Sequence, residues 1–537
     1  MTMNAPAPHA QRSDSVFQTL VAIVGHEHVT DALLECEVFS QDIFSRAPYL
    51  AEAVVAPADL DELSRVVAAC TTSGRAVFPR GGGASYTGGY LASCADAVVV
   101  DLRRMNRILE INAEDMYVRV QSGVTWIVLN DALREHGLRT PFWGVQSGRV
   151  STVGGAMSQH AANYGSGVHG FSADSVQSIS VVLADGSVLR TGSAAIERAA
   201  PFNRYFGPDL AGLFLGDSGA LGIKGEFTLR LMLRPKHEDH ASASFVDFES
   251  AAAAMSAVAR LGVVTESFMM DPSLQAARLK RVSFAQDLQA LTGVAKNSNS
   301  VVQGLRAAAQ VALAGRDIVD DHGYSVHLSL EHRYRTALDE ALREVTDACV
   351  RHGGRMIENS IPKVVRGNPF GPLNIVIGTS GERWIPTHGL VPHSKAAAVQ
   401  AEIRSLFDAH GAELESQGVE WVLLASTVGH GAFLIEPIMT WPDEMLPLHE
   451  RLMDAPYRRR ITPLPANPDA AAVVAKLRSG IKDVFVRHAG TNMQIGRAYP
   501  FRERVGAVNW SLLRALKAAV DPRNLMNPGA LGLDAGS

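Results

Sequence analysis

Pro79-Arg80-Gly81-Gly82-Gly83-Ala84-Ser85-Tyr86-Thr87-Gly88-Gly89 follows the apolar run Ala76-Val77-Phe78, so a short strand feeds straight into a glycine loop. Five glycines fall among the nine positions from 81 to 89. Without Cβ atoms they let backbone N–H groups approach an anion closely. Successive exposed N–H groups form an anion-binding nest, to which Arg80 and Ser85 add donors. A flexible linker would not be embedded between strand and helix signals on both sides, as this loop is.

Two more glycine clusters lie downstream. One is Ser151-Thr152-Val153-Gly154-Gly155-Ala156 with Ser158-Gln159-His160, and the other is Gly216-Asp217-Ser218-Gly219-Ala220-Leu221-Gly222 ahead of Ile223. Three such loops in one half predict a long phosphate-bearing ligand gripped by several turns, and a dinucleotide has that length. Gly165-Ser166-Gly167-Val168-His169-Gly170 matches G-x-G-x-x-G only in its letters. That fingerprint has physical meaning when a strand precedes it and a helix opens on it. Here polar residues 159–164 precede it and a strand follows, which rejects a Rossmann site. No glycine loop ends in Gly-Lys-Ser/Thr, so a P-loop is also excluded.

Outward from the first loop, Asp59 or Asp61 is placed to cap a helix. Its apolar residues Leu63, Val66, Val67 and Cys70 recur at helical spacing, and Gly74 ends it. Residues 97–102, 108–112 and 117–123 read as strands, and 124–137 as a helix behind Thr125. Residues 176–192 read as two strands joined by the hairpin turn Asp185-Gly186, and 221–235 as a strand closed by Pro235. Beyond about residue 236, alanine-rich helical stretches (251–261, 335–352, 394–415) alternate with strand-like 325–332, 373–379 and 421–429, a separate α+β unit. A last amphipathic helix from residue 509 stops at Asp521-Pro522.

Composition narrows the class. The 537 residues carry 50 Lys and Arg against 55 Asp and Glu, a net charge of −5. That balance argues against a nucleic-acid partner and suits a small-molecule enzyme. Apolar residues at 47% and charged residues at 20% exclude disordered and fibrous chains. Four cysteines (Cys36, Cys70, Cys94, Cys349) with no C-x-x-C pair argue against a disulfide scaffold or zinc ribbon and fit a reducing cytoplasm. The N-terminus has no basic stretch before an apolar core. No run nears about 18 uninterrupted apolar residues, so no membrane span is expected.

The ordered set of motifs resembles the vanillyl-alcohol oxidase/p-cresol methylhydroxylase superfamily of FAD enzymes. The matching segments begin with VVAPADLDEL, PRGGGASYTGG and VVVDLRRMNRILEINAEDMYVRVQSGVTWIVLNDAL. They continue with STVGGAMSQHAANYG, SVVLADGSVLRTG, LFLGDSGALGIKGEFTLRLMLRP and AVDPRNLMNPG. What the resemblance implies is an α+β architecture. A PCMH-type, two-subdomain FAD-binding domain is made from the N-terminal half plus the C-terminal tail, with an inserted α+β cap. The expected boundaries are an arm and helical lead-in over 1–48, the FAD-binding domain over 49–236, the cap over 237–485, and a returning segment over 486–537. On the same basis Pro79, Arg80, Gly81, Gly82, Gly83, Ala84, Ser85 and Gly88 cradle the pyrophosphate. Val153, Gly154, Gly155 and Ser158, with Gly219, Gly222 and Ile223, contact the flavin side, and Asn527 approaches the ring or ribityl chain. Ala84 stands where many relatives carry a flavin-bonding histidine, so non-covalent FAD is expected, with His430 as a cap-side attachment or substrate contact. Tyr86 matches a substrate-binding tyrosine of phenol-oxidising members and Arg497 an arginine. Gly496 replaces a tyrosine and, by ungapped alignment, Phe171 replaces an aspartate.

The chemistry expected is oxidation of a hydroxyl-bearing small organic substrate, an aromatic alcohol or phenolic compound or a 2-hydroxy acid, by hydride transfer to flavin. Such a reaction needs a base for the hydroxyl proton and polar anchors for the rest of the substrate. Histidine suits the base role because it titrates near neutrality, and the candidates are His430, His388, His393, His160 and His169. Arg497 offers a bidentate anchor for an anion, while Tyr86 and Tyr499 offer hydroxyls. A metal is not expected, although His388, His393 and His430 with Glu436 supply the ligand types for one. The rival readings are a non-redox FAD transferase of the alkyl-glycerone-phosphate-synthase type and a flavin-bearing binding protein. O2, a quinone or a cytochrome is the expected electron acceptor, and a cytoplasmic homodimer the expected state.

Overall fold

The computed structural model describes residues 14–275, 323–378 and 380–534. The arm expected over the first 15 or so residues falls mainly outside them; Asp14–Val24 is a helix whose Val16, Leu20 and Val24 pack against Leu63, Val66 and Val67. Among the described residues no helix is long and apolar enough to cross a membrane.

The FAD-side half contains two sheets. In the first, Ala53–Val55, Ala97–Asp101 and Ala76–Arg80 run parallel with Ala97–Asp101 between the other two, and Val29–Thr30 pairs antiparallel on the edge. Residues 97–101 are all buried, as befits a central parallel strand covered on both faces. The crossover helix Leu60–Thr72 is capped by Asp59, whose carboxylate accepts from the N–H groups of Asp61 and Glu62. Leu63, Val66, Val67 and Cys70, spaced i, i+3, i+4 and i+7, face the sheet. The second sheet is antiparallel, in the order Ile108–Asn112, Tyr117–Gln121, Ile223–Arg230, Val176–Val182, Val188–Arg190. Gly186, at φ +83°, makes the hairpin turn between its last two strands.

The cap is built on one eight-stranded antiparallel sheet. Its order is Arg355–Ile357, His237–Phe245, Tyr324–His332, Val264–Met270, Glu420–Val428, Ala432–Trp441, Arg383–Pro386, with Gly389–Val391 also paired to Ala432–Trp441. Helices Phe248–Leu261, Arg335–Arg351, Ala396–Ala409 and Pro468–Arg487 bury their apolar faces with one side of this sheet. The opposite side turns toward the glycine loops. The strand expected over 373–379 is instead a 3-10 turn at Leu373–Val376. It follows Pro372, and its apolar side chains join Ile43, Met453 and Ile461 in a small cluster rather than a sheet.

The C-terminal segment returns to the N-terminal half. Val77 donates to the Leu525 carbonyl and accepts from the Asn527 N–H, so the tail adds to the edge of the parallel sheet. Lys517, buried on helix Ala507–Val520, binds the Asp521 carboxylate at 2.6 Å and the carbonyls of Ala220 and Met526 at 2.7 and 2.8 Å.

Candidate active site

A cavity of about 330 Å³ lies between the glycine loops and the cap sheet. Pro79, the loop from Gly81 to Ser85, Thr152, Gly154, Gly155, Ser158 and Ile223 line its floor. The backbone N–H groups of Gly82, Gly83, Ala84 and Ser85 meet no acceptor among the described residues. Four adjacent donors open to a cavity suit a pyrophosphate. The glycines are required by close approach: a Cβ on Gly82 would stand 2.0 Å from the Val150 carbonyl oxygen, and one on Gly81 2.4 Å from Thr152 Oγ1. FAD therefore fits this floor by the chemistry of its donors and by the contour the glycines leave.

Several residues expected to touch the cofactor support the floor from behind. Arg80 is buried with its guanidinium 4.4 Å over the Phe39 ring and 5.5 Å over Tyr90, outside the cavity lining. Its apolar and aromatic surroundings, not an anion, hold it there. Gly88 donates its N–H to Asp42 at 2.7 Å. Val153 is packed in the core beside Val124 and Leu221. A Cβ on Gly219 would meet Pro79, and one on Gly222 would meet Val181. Asn527 is fully buried; its amide donates to the carbonyls of Gly89 and Ser218 at 2.7 and 2.5 Å. It pins two glycine loops together and does not line the cavity.

The expected substrate anchor Arg497 belongs to the same pin. It donates to Asn527 Oδ1 at 2.7 Å and to the carbonyls of Gly88 and Pro528 at 2.6 and 2.7 Å. It ties the Gly88 loop to the tail and does not line the cavity, so the structure does not place it as a substrate anchor. Gly496 beside it sits at φ +54°, and a Cβ there would meet the Thr87 carbonyl at 2.6 Å, which explains why no tyrosine occupies the position.

The roof is decided by strand periodicity. Along Ala432–Trp441, Phe433 and Ile435 enter the cap core while Leu434 and Glu436 line the cavity. Phe268, Leu424 and Ser426 join them from neighbouring strands. Tyr86 rises from the floor with its ring edge-on to Trp384, centroids 5.7 Å apart, and burial keeps its phenol protonated, well above the ordinary tyrosine value. Glu436 makes no hydrogen bond among the described residues, and burial alone pushes its carboxyl up to about 7. It is the titratable group best placed for proton transfer, although its sequence context beside histidines suggested only a metal ligand.

The histidines do not converge. His388 is buried, and its Nε2 donates to the Met493 carbonyl at 2.8 Å. A carbonyl only accepts, so Nδ1 is the free lone pair; it takes the Tyr499 hydroxyl proton at 3.2 Å, while Tyr499 accepts the His388 N–H at 2.9 Å. Burial lowers the His388 pKa to about 4, keeping the ring neutral. Tyr499 is thereby a brace for His388, outside the cavity lining. His393 bonds Ser256 Oγ and the His430 carbonyl. His430 is exposed, its ring over Gly262, away from the cavity, so it is neither an attachment point nor a base for a bound ring. Among the described residues no group of three His, Cys, Asp or Glu side chains forms a metal site.

At the far end of the cavity Arg366 joins the cap to the FAD side. It binds Glu266 at 2.9 Å and Glu238 and Glu331 at 2.6 Å, and lies over the Trp143 ring, while Arg139 also binds Glu331. Burial opposes its charge, yet the three carboxylates hold the guanidinium well above its ordinary pKa. Arg366→Met leaves three carboxylates with Arg139 alone and is expected to cost about 3–5 kcal/mol, read from urea unfolding.

Parallel glycine-loop sheet, antiparallel sheet, returning tail and inserted cap define one class, the PCMH-type FAD-binding fold, and the cofactor is FAD. Residues 51–192 match the FAD binding domain family and residues 495–531 the C-terminal domain of FAD linked oxidases. The chain is 30% identical over 261 residues to glycolate oxidase subunit GlcD of Bacillus subtilis, 48% of this chain and 54% of that one. It is 25% identical over 485 residues to a probable mitochondrial D-lactate dehydrogenase of Danio rerio, 89% of this chain and 84% of the relative. The chain thus spans about half the length of the first of these relatives. In fold it is similar to p-cresol methylhydroxylase with substrate bound, with TM-score 0.69, 17% identity, and 98% and 97% of the two chains covered. It is also similar to alkyldihydroxyacetonephosphate synthase, with TM-score 0.67, 15% identity, and 98% and 87% covered.

Proposed function

We propose that this protein oxidises a hydroxyl-bearing small organic molecule, with Glu436 taking the hydroxyl proton. The observation that supports it is a half-buried carboxyl without a hydrogen-bond partner among the described residues, raised to about 7, lining the same cavity as the glycine floor. Bound FAD supplies the two-electron acceptor for the substrate hydride. The chain's own residues do the rest: the loops hold the cofactor, the roof excludes water, and Glu436 receives a proton once it is ionised. Ala84 offers no atom for a covalent link, so FAD is held without one.

Aromatic alcohols suit the site best. Tyr86, Trp384, Phe268, Leu424 and Leu434 make an apolar, largely aromatic wall. The two cations in the lining, Lys224 and Arg366, are already paired, Lys224 with Asp217 and Arg366 with its three carboxylates. A 2-hydroxy acid is the second reading, favoured by the names of the glycolate and D-lactate relatives. Benzyl alcohol and mandelate, which share a ring and differ in a carboxylate, separate the two when added anaerobically to the yellow protein. Faster bleaching by benzyl alcohol supports the first reading and faster bleaching by mandelate the second. Net turnover with the flavin staying oxidised points to a transferase; binding without turnover defeats both.

A further inference from the structure

Oxidation of an alcohol to a carbonyl compound breaks the carbinol C–H and O–H bonds and forms a C=O bond. It gives one hydride, for which bound FAD would be the acceptor, and one proton, which must reach water from the cavity. Two rows of polar groups lead out of the lining, and one of them is hydrogen-bonded from its first member. Behind Glu436, His388 Nδ1 lies 3.9 Å from the carboxylate, beyond hydrogen-bond reach; Nδ1 meets the Tyr499 hydroxyl and Nε2 the Met493 carbonyl, which takes no proton. The other starts at Ser329, which lines the cavity and is 2% exposed. Ser329 Oγ lies 3.1 Å from His240 Nδ1, and His240 Nε2 lies 3.0 Å from Glu238 Oε1. His240 is 8% exposed, whereas the Glu238 side chain is 39% exposed. Solvent access rises step by step along the three residues.

We propose that Ser329, His240 and Glu238 form a proton relay from the cavity to bulk water. It rests on the oxidation reading above. The order of donors follows from the chemistry of the ends. The carboxylate only accepts, so Nε2 carries the hydrogen and Nδ1 accepts from the Ser329 hydroxyl. A proton delivered to Ser329 through cavity water therefore displaces the hydroxyl hydrogen onto Nδ1. The Nε2 hydrogen then leaves to Glu238 and on to solvent, with no change in electron count. The geometry is held by the sheet: His240 and Ser329 are direct partners on adjacent strands, and Asn359 donates to the His240 carbonyl at 2.7 Å. Arg366 binds the second Glu238 oxygen and keeps that carboxylate ionised; Glu266, Glu331 and Arg139 complete the charged groups packed around the chain.

The test follows two signals in one anaerobic stopped-flow experiment in weakly buffered solution: flavin absorbance and the colour of phenol red. In the wild-type holoenzyme mixed with benzyl alcohol, one proton appears in step with bleaching. In Ser329→Ala and His240→Ala the proton lags bleaching by at least about tenfold, and imidazole restores the His240→Ala signal. Flavin content and melting temperature report whether each variant folds. Proton release in step with bleaching in both folded variants overturns the relay alone. A wild-type flavin that no alcohol or hydroxy acid bleaches removes the oxidation reading, and the relay with it.

Discussion

Glu436→Gln slows anaerobic flavin bleaching by the best alcohol substrate about 10²–10⁴-fold, the usual share of a positioned base. Glutamine keeps the shape of the side chain but cannot accept a proton at neutral pH, so substrate affinity changes far less than rate. The pH profile carries a second signature. Burial raises the carboxyl to about 7, so below that pH it is protonated and inactive as a base. The wild-type bleaching rate climbs as pH rises through about 7, and the glutamine variant loses that inflection. Linkage gives the matching stability effect. A folded-state pKa above the ordinary value of 4.5 favours the protonated native form. The stability it confers is present at low pH and is lost as pH rises from about 4.5 toward 7, a slope absent from the variant. Equal rates and equal pH profiles for the two proteins would assign the base elsewhere.

Gly82→Val yields a protein that purifies without colour and binds added FAD at least about a hundredfold more weakly, about 2.8 kcal/mol at 1.4 kcal/mol per tenfold. The cause is local. A Cβ on Gly82 falls 2.0 Å from a backbone oxygen, that of Val150, which no rotamer change can move. Either the 79–89 loop or the 147–151 turn must shift, and the four unpaired N–H groups lose their common direction. Gly506→Ala is the control, since nothing lies within 4 Å of its added carbon and its φ is ordinary. Equilibrium titration of flavin fluorescence measures both. A yellow Gly82→Val protein of unchanged affinity would mean that this loop does not carry the pyrophosphate.

The FAD half was legible because its signals are local. Helix Leu60–Thr72 announces itself by Asp59 and a 3.6-residue apolar stripe, the 176–190 hairpin by Asp185-Gly186, and the loops by glycine density. The cap strands 325–332 and 421–429 were legible, but others were hidden. His237–Phe245 carries His240, Ser242 and Ser244 on its buried polar face, and Val264–Met270 carries Glu266. In His237–Phe245 the alternation rests on two small alanines and one phenylalanine, and in Val264–Met270 it is broken by Thr265 to Ser267, so the apolar signal of both strands is weak. Glu436 was obscured too: only its parity with Leu434, visible once the strand's extent is known, turns it into the cavity. Arg497 and Tyr499 misled in the opposite sense. Their chemistry is right for holding a substrate, but tertiary neighbours separated by 30 and 111 residues engage them outside the cavity lining.

The pin formed by Asn527, Arg497 and Lys517 has a consequence for biosynthesis. The seat for the flavin is walled by residues before 495 but braced from behind by the tail, so a chain emitted only to residue 500 has its lining without the amide that ties Gly89 to Ser218. A chain cut at residue 500 is expected to hold FAD more weakly than the full chain, because its two glycine loops are no longer tied together.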